Sequence, residues 1–158
     1  NTPAPTNTPA PTNTPAPTPN PNTPAGTILD VGQTWKQDGA ELTLAGVEYG
    51  AQSMRLTWRF ENNTGQNILV RMNGDNFILQ DNVSGQQLKS RGFYDGTFVY
   101  SVNDVLKPGD YLINAKKNGR SPSLLVNFDP MVTDEVLVTV YDVSRIEKAQ
   151  WILRIRLR

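Results

Sequence analysis

The sequence predicts an all-β protein: a sandwich of two antiparallel sheets with about seven to nine strands, preceded by an extended arm. Three observations support this. Short runs of alternating apolar and polar residues fill residues 27–158, turn-forming clusters separate them, and residues 1–26 are an uncharged repeat rich in threonine and proline. The arm is too polar to build a core, whereas about 130 residues are enough for one domain. We therefore divide the chain into an arm, 1–26, and a sandwich domain, 27–158.

The arm begins with the hexapeptide Asn-Thr-Pro-Ala-Pro-Thr, which occurs three times in residues 1–18. Closely spaced prolines favour a polyproline II helix, whose three residues per turn keep a six-residue repeat in register. At about 3.1 Å per residue the arm reaches roughly 80 Å, about two domain diameters. Such an arm takes a fixed position only against a partner surface or under a coat of sugars, and otherwise it is a spacer.

We assign the arm two sets of candidate residues. The predicted assembly contacts are Asn1, Thr2, Pro3, Ala4, Pro5, Thr6, Thr8, Thr12, Thr14, Thr18 and Thr23. Because threonine/proline repeats are typical of O-glycosylated stalks outside the cell, the candidates for O-glycosylation are Thr2, Thr6, Thr8, Thr12, Thr14 and Thr18. The same composition predicts an extracellular location.

The first strands of the domain follow from periodicity and turn chemistry. Asp38-Gly39 is a hairpin-turn signal, and in Glu41–Tyr49 a parity shift near Ala45-Gly46 predicts a bulge. The next strand is half-buried, with one apolar face formed by Met54, Leu56, Trp58 and Phe60. Further strands are predicted at Ile68–Met72, Asn76–Gln80, Thr97–Ser101, Tyr111–Asn114, Leu124–Phe128, Glu135–Tyr141 and Gln150–Leu157. Only Val143–Lys148 has a helical or turn-like character.

Five short motifs resemble those of a known family: Val31–Thr34, Glu41–Leu44, Arg59–Gly65, Phe77–Asp81 and Leu106–Asp110. With them, residues 32–155 resemble the telokin-like, immunoglobulin-like β-sandwich family of bacterial surface proteins and lipoproteins. The resemblance implies the fold. It implies no catalytic residues, because activity in that family is generally unassigned. The repeat arm and a cationic last strand depart from the family pattern.

The composition excludes several kinds of chemistry. Fifteen basic and fifteen acidic residues cancel, so no net charge steers the chain toward nucleic acid or anionic lipid. The absence of histidine and cysteine excludes Ser-His-Asp and Cys-His catalysis, imidazole or thiolate zinc sites, and disulfides. No apolar run approaches the ~20 residues of a membrane span. No signal-like segment is present either, so we expect a mature chain without its leader.

Acidic residues do not form a recognisable site. Asp134-Glu135 and Asn73–Asn76 lack the spacing of a calcium loop, so we interpret both as solvated turns. No pair among the fifteen acids stands out as a glycosidase pair. We therefore expect no enzymatic activity, no metal and no cofactor.

Three groups in the domain are candidates for contact with the arm or with glycans. Phe93 and Tyr94 lie in a glycine-flexed loop suited to stacking, or alternatively Phe93 covers the core while Phe98 and Tyr100 belong to a core strand. Trp35 is either a lid on the core or a platform for proline. The last strand presents Arg154, Arg156 and Arg158 on one face, which either binds carbonyl-rich chains or protects a sheet edge. Asn62 and Asn82 match the N-glycosylation acceptor pattern in predicted turns.

Two hypotheses of different classes follow. In the first, the protein is a structural subunit of an extracellular filament or surface layer, and its arm packs in a groove of neighbouring copies, with the proline-free Thr27–Val31 suited to strand addition. Its partners are then other copies of itself and covalent glycans. In the second, the sandwich is a cell-surface carbohydrate- or wall-binding module on a tether. Neither needs nucleic acid or a membrane span.

Overall fold

The structure, a computed structural model, describes residues 21–114, the strand backbone at 116–117 and 124–127, and residues 134–155. Its strands are β1 (Ile28–Asp30), β2 (Thr34–Gln37), β3 (Ala40–Tyr49), β4 (Ser53–Asn62), β5 (Ile68–Met72), β6 (Phe77–Asp81), β7 (Lys89–Tyr94), β8 (Val99–Tyr100), β9 (Val102–Leu106), β10 (Tyr111–Ile113), β11 (Lys116–Lys117), β12 (Leu124–Asn127), β13 (Glu135–Val143) and β14 (Ile146–Arg154). One 3₁₀ turn, Gly74–Asn76, precedes β6 and is the single helical element in these ranges. The predicted all-β class is confirmed.

The strands form three sheets. In the first, the order is β1-β14-β13-β6, and β1 runs parallel to β14 while the other pairs are antiparallel. The second extends from β2 through β3 to β4, which pairs with both β10 and β12, and continues from β12 to β7 and β8. The third is the β5–β9 pair. The sandwich is therefore not purely antiparallel, because its first strand joins the last one in the same direction.

One predicted detail of the strands needs correction. Fourteen strands occur in the described ranges rather than seven to nine, because the prediction left out β1, β2, β7, β9 and β11, which contain only two to six residues each. The turn-like character predicted for Val143–Lys148 is confirmed, and the helical alternative is wrong. Val143 ends β13 and Ile146 begins β14, joined by a tight turn at Ser144-Arg145 in which Ser144 has a φ of 55°. The bulge predicted near Ala45-Gly46 is confirmed by the register shift between Leu44 and Gly46.

The core lies between the sheets and is centred on aromatic side chains. Trp58 of β4 contacts Trp151 of β14 edge-on, with ring centroids 5.0 Å apart, and contacts Phe77 of β6 at 4.9 Å. Phe77 in turn meets Phe93 of β7 edge-on at 5.4 Å. These contacts link the first sheet to the second, because β6 and β14 belong to one and β4 and β7 to the other.

No helix in the described part of the chain is long and apolar enough to cross a bilayer.

Candidate functional site

The last residues of the arm are bound to the sandwich at the edge of β2. We call residues 22–26 the arm root and residues 36–38, at the end of β2 and in the following turn, the docking edge. The Thr23 amide donates to the Lys36 carbonyl at 2.8 Å, and the Lys36 amide donates to the Thr23 hydroxyl at 2.8 Å. These groups of Lys36 point away from β3, so the arm root lies on the free side of β2. Arm and sandwich are thus in direct contact.

Asn22 adds two side-chain hydrogen bonds to the turn after β2. Its side-chain oxygen accepts from the Asp38 amide at 2.8 Å, and its side-chain nitrogen donates to the Asp38 carboxylate at 3.1 Å. The turn presents both groups because Asp38 and Gly39 have positive φ angles, 49° and 78°, as a two-residue type I′ hairpin requires. Two residues of the arm therefore make four hydrogen bonds to the docking edge.

A turn after the arm root directs the chain into β1. The Pro24 carbonyl accepts from the Thr27 amide at 3.2 Å and from the Thr27 hydroxyl at 2.7 Å, and Gly26 has a φ of 80°. A type II turn needs glycine at this third position. The chain leaves the docking edge here and pairs with β14 from Ile28.

A cavity of about 260 Å³ lies between the arm root, β2 and β14. Its lining residues are Asn22, Thr23, Ala25, Gly26, Trp35, Gln37, Glu147, Lys148 and Gln150. Trp35 is buried, and its indole nitrogen has no hydrogen-bond acceptor within the described ranges. Trp35 therefore closes the core under the arm root, as in the lid interpretation, and offers no exposed platform for proline stacking.

The predicted aromatic platform is wrong for Phe93. Its side chain is fully buried in the aromatic cluster, because Gly92, with a φ of 72°, and a bulge against β12 turn it inward. Tyr94 is half-buried, and its hydroxyl donates to the Gly96 carbonyl at 2.6 Å. Phe98 and Val99 are instead the exposed apolar residues of this hairpin, at 64% and 67% exposure. The alternative that made Phe98 a core residue is also wrong.

Val99 also lines a second cavity of about 330 Å³. Its polar lining includes Asn73, Asp75, Arg91 and Tyr100. The Tyr100 hydroxyl donates to the Asp95 carboxylate at 2.5 Å, and the amides of Thr97 and Phe98 donate to the same carboxylate. The Tyr100 hydrogen bond, followed by the two amides, lowers the pKa of Asp95 below its ordinary value of 3.8.

Arg154 is engaged within its own chain. Its guanidinium contacts the Asp30 carboxylate at 2.6 Å and the Glu135 carboxylate at 3.7 Å, so it links β1, β14 and β13. From the sequence, the arm or a glycan was a candidate partner of Arg154. Asp30 and Glu135 were not identified as partners, because both are distant from Arg154 in sequence. Thr27–Val31 is likewise used inside the chain, as β1, rather than left for strand addition to a neighbour. Arg156 and Arg158 lie outside the described residues.

The two predicted N-glycosylation sites differ. Asn62 is fully buried, and its side-chain nitrogen donates to the carbonyls of Gln66 and Leu106 at 3.0 and 2.9 Å. The prediction of an accessible acceptor is therefore wrong for Asn62. Asn82 is exposed and donates to the Glu135 carboxylate at 3.1 Å, and its glycosylation stays a prediction.

The arm predictions upstream of residue 21 fall outside the described residues. They concern Asn1, Thr2, Pro3, Ala4, Pro5, Thr6, Thr8, Thr12, Thr14 and Thr18. Thr23 is the one predicted assembly contact within the described ranges. Sequence reasoning missed Lys36, the partner of Thr23, and the neighbouring pair Asn22 and Asp38. The sequence did contain a signal for Asn22, because Asn22–Ala25 repeats the first four residues of the hexapeptide.

Metal chemistry finds no support in the described ranges, where no three acidic side chains come together as a metal site. Asp134-Glu135, one of the acidic pairs considered, supplies Glu135 to Arg154 and Asn82. In the other, the Asn73 side chain caps the 3₁₀ turn by accepting from the Asp75 amide. Structural hydrogen bonds thus involve both pairs.

The sequence matches no protein-family model, and a search of curated proteins found no match. Among solved structures, the crystal structure of the yjhA protein from Bacillus subtilis is similar, with a TM-score of 0.53 over 82% of this chain and 100% of that chain. The two sequences are 12% identical. The similarity concerns the fold, and it agrees with the β-sandwich described above.

Proposed function

We propose that the protein is a structural subunit of an extracellular filament or surface layer, assembled by packing of its N-terminal arm on neighbouring copies. One observation carries the proposal: residues of the arm sequence bind the edge of this sandwich through four hydrogen bonds. A segment without charge and with little apolar area needs such pairing to be held in place. The proposal includes a telokin-like relationship of the sandwich and O-glycans on arm threonines.

The geometry of the arm root favours contacts between copies over a simple spacer. A spacer needs no affinity for its own domain, whereas both side-chain polar groups of Asn22 and the amide and hydroxyl of Thr23 bond to the docking edge. The arm upstream is roughly 60 Å long if it is extended, which exceeds the diameter of the domain. A contact that one copy makes to the next, head to tail, does not close on itself and so propagates.

Deletion of residues 1–20 tests this function, because it removes the repeats and keeps the arm root. We expect the full chain to form assemblies visible by electron microscopy and light scattering, and the truncated chain to remain monomeric with an unchanged circular dichroism spectrum. A matched control replaces residues 1–18 with glycine and serine, which keeps the number of residues but removes the side chains and the stiffness of the repeat. Assembly of the truncated chain to the same extent as the full chain would refute the proposal.

A binding module remains a second candidate, supported by the exposed Val99 in the lining of the 330 Å³ cavity and by the exposed Phe98, its neighbour in sequence. The residues differ from those predicted, since Trp35 and Phe93 are buried. Pull-down of the full chain on insoluble polysaccharides distinguishes the two functions. A binding module is retained on the polysaccharide and loses retention on Phe98→Ala, whereas the assembly of a structural subunit is indifferent to that substitution.

A further inference from the structure

We propose that the docking edge is a receptor for the tetrapeptide Asn-Thr-Pro-Ala, and that an upstream copy of this tetrapeptide from a second chain occupies it in the assembly. The inference rests on the proposed function and specifies it, because it names the segment that docks and the residues that receive it. The occupant is the arm of another copy of this protein.

The first step of the argument is a sequence identity. Asn-Thr-Pro-Ala occurs four times in the chain, beginning at Asn1, Asn7, Asn13 and Asn22. The fourth copy, Asn22–Ala25, forms most of the arm root, and its first two residues make the four hydrogen bonds to the docking edge. The three upstream copies therefore carry every side chain that the observed contact uses.

The second step is that the docking edge selects this dipeptide. An asparagine side chain both donates and accepts, and it meets one acceptor and one donor on Asp38, the carboxylate and the amide. An aspartate at this place has no donor and would repel the Asp38 carboxylate. The threonine amide donates to the Lys36 carbonyl, as a valine amide also could, but its hydroxyl accepts from the Lys36 amide, which a valine of the same shape cannot do.

The third step is that the site can exchange its occupant. The contacts of Asn22 lie at the exposed surface, so the arm root can leave without opening the core. Exchange of identical segments between copies costs little, because the same bonds form in both arrangements. Twenty residues of polyproline II would span roughly 60 Å, more than the diameter of the domain. The arm root of each chain then competes with the repeats of its neighbours for one docking edge.

The test is a complementation experiment with two full-length variants. The receptor variant keeps the docking edge and carries Ala-Val in place of Asn-Thr at all four copies. The donor variant keeps the arm and carries Lys36→Pro together with Asp38→Gly. Proline removes the amide that faces away from β3, and glycine keeps the positive φ of the turn while removing the carboxylate. If the double variant fails to fold, the peptide titration described below tests the receptor without it.

We expect each variant alone to sediment as a monomer. In the mixture we expect complexes of one donor chain with one or more receptor chains. Two controls are matched to these changes. Thr6→Val, Thr12→Val and Thr18→Val alter the repeat outside the tetrapeptide, and Lys36→Ala removes a side chain but leaves its backbone groups. Both controls should assemble like the unaltered chain. Absence of any complex in the mixture, while the unaltered chain assembles, would overturn the docking proposal.

A peptide measurement separates this inference from the proposed function. Acetyl-Asn-Thr-Pro-Ala-Pro-Thr-amide is titrated into the ¹⁵N-labelled receptor variant, with Ala-Thr-Pro-Ala-Pro-Thr as the control peptide. We expect shifts at the Lys36 and Asp38 amides with a dissociation constant on the order of millimolar, and at least a tenfold weaker response to the control. Peptide binding without assembly of the full chain supports the receptor and refutes the filament. Assembly without peptide binding supports the filament and refutes the receptor.

Discussion

Asn62 shows how one residue can connect two distant parts of this chain. Its side-chain oxygen accepts from the amide and hydroxyl of Thr64, its side-chain nitrogen donates to the Leu106 carbonyl, and its backbone pairs with Gly109 and Asp110. The end of β4 is thereby fixed to the turn after β9. A tripeptide pattern predicts a glycan acceptor here because it carries no information on burial.

Replacement of Asn62 should be among the costly single substitutions. Asn62→Asp cannot donate to the Leu106 and Gln66 carbonyls and buries a charge, so we expect the free energy of unfolding to fall by about 2–4 kcal/mol. Urea denaturation measures the change. Asn63→Ala is the control, since Asn63 is exposed, and its effect should stay within about 0.5 kcal/mol. Equal effects of the two substitutions would contradict the role assigned to Asn62.

Asp95 provides a prediction about pH. The Tyr100 hydroxyl and the amides of Phe98 and Thr97 favour its charged form, so its pKa is lower in the folded protein than in the unfolded chain. This contribution to stability is present above the unfolded pKa and disappears as the pH falls through the folded pKa. Tyr100→Phe removes the largest cause, and the pKa of Asp95 should rise toward its ordinary value. Carboxyl ¹³C NMR measures it, and an unchanged pKa would show that the hydroxyl is unimportant.

Among the elements, long alternating strands were predictable and short edges were not. β4 shows one apolar face, because its side chains alternate between the core and the other side, and the glycine of β3 marked the bulge. β1 and β11 contain only three and two residues, too few for a period to show. Phe93 was misplaced because the positive φ of Gly92 and the local bulge change which face a residue takes.

The packing of the 3₁₀ turn on β7 depends on two glycines. A Cβ on Gly74 would lie 2.5 Å from the Cα of Gly92, which is backbone and cannot swing away. We expect Gly74→Ala to lower the free energy of unfolding by about 1–3 kcal/mol. Gly65→Ala is the matched control, because no atom lies within 4 Å of the added Cβ and its φ is not positive. Thermal unfolding that is equally affected by both substitutions would argue against this contact.

At the scale of the whole molecule, the arm root is hydrogen-bonded to the sandwich at the docking edge. Removal of residues 1–20 should leave the stability of the monomer unchanged, whereas removal of residues 1–25 also eliminates four hydrogen bonds at or near the surface. We expect the second truncation to cost about 1–2 kcal/mol. Urea denaturation at low protein concentration compares the two. A stability unaffected by either truncation would mean that the arm root contributes nothing to the fold.

The sequence predicted that the arm needs a surface, but it could not identify the surface. Two of the four bonds end on backbone groups of Lys36 and a third on the amide of Asp38, and every residue except proline has such groups. No side-chain pattern marks them in advance. These groups are available because Lys36 lies at an edge of β2 and Asp38 lies in a type I′ turn. The turn was predicted from Asp38-Gly39, but the side of β2 that faces away from β3 is known only from the folded chain.

The hydroxyl of Thr23 has a consequence for the chemistry of the arm as a whole. The oxygen that accepts from Lys36 is the atom to which an O-linked sugar would be attached. Under the proposed docking, a sugar on this oxygen would occupy the space next to the Lys36 amide, at Thr23 and at the matching Thr2, Thr8 and Thr14. Thr6, Thr12 and Thr18 lie outside the tetrapeptide, so sugars attached there would leave the proposed docking unchanged.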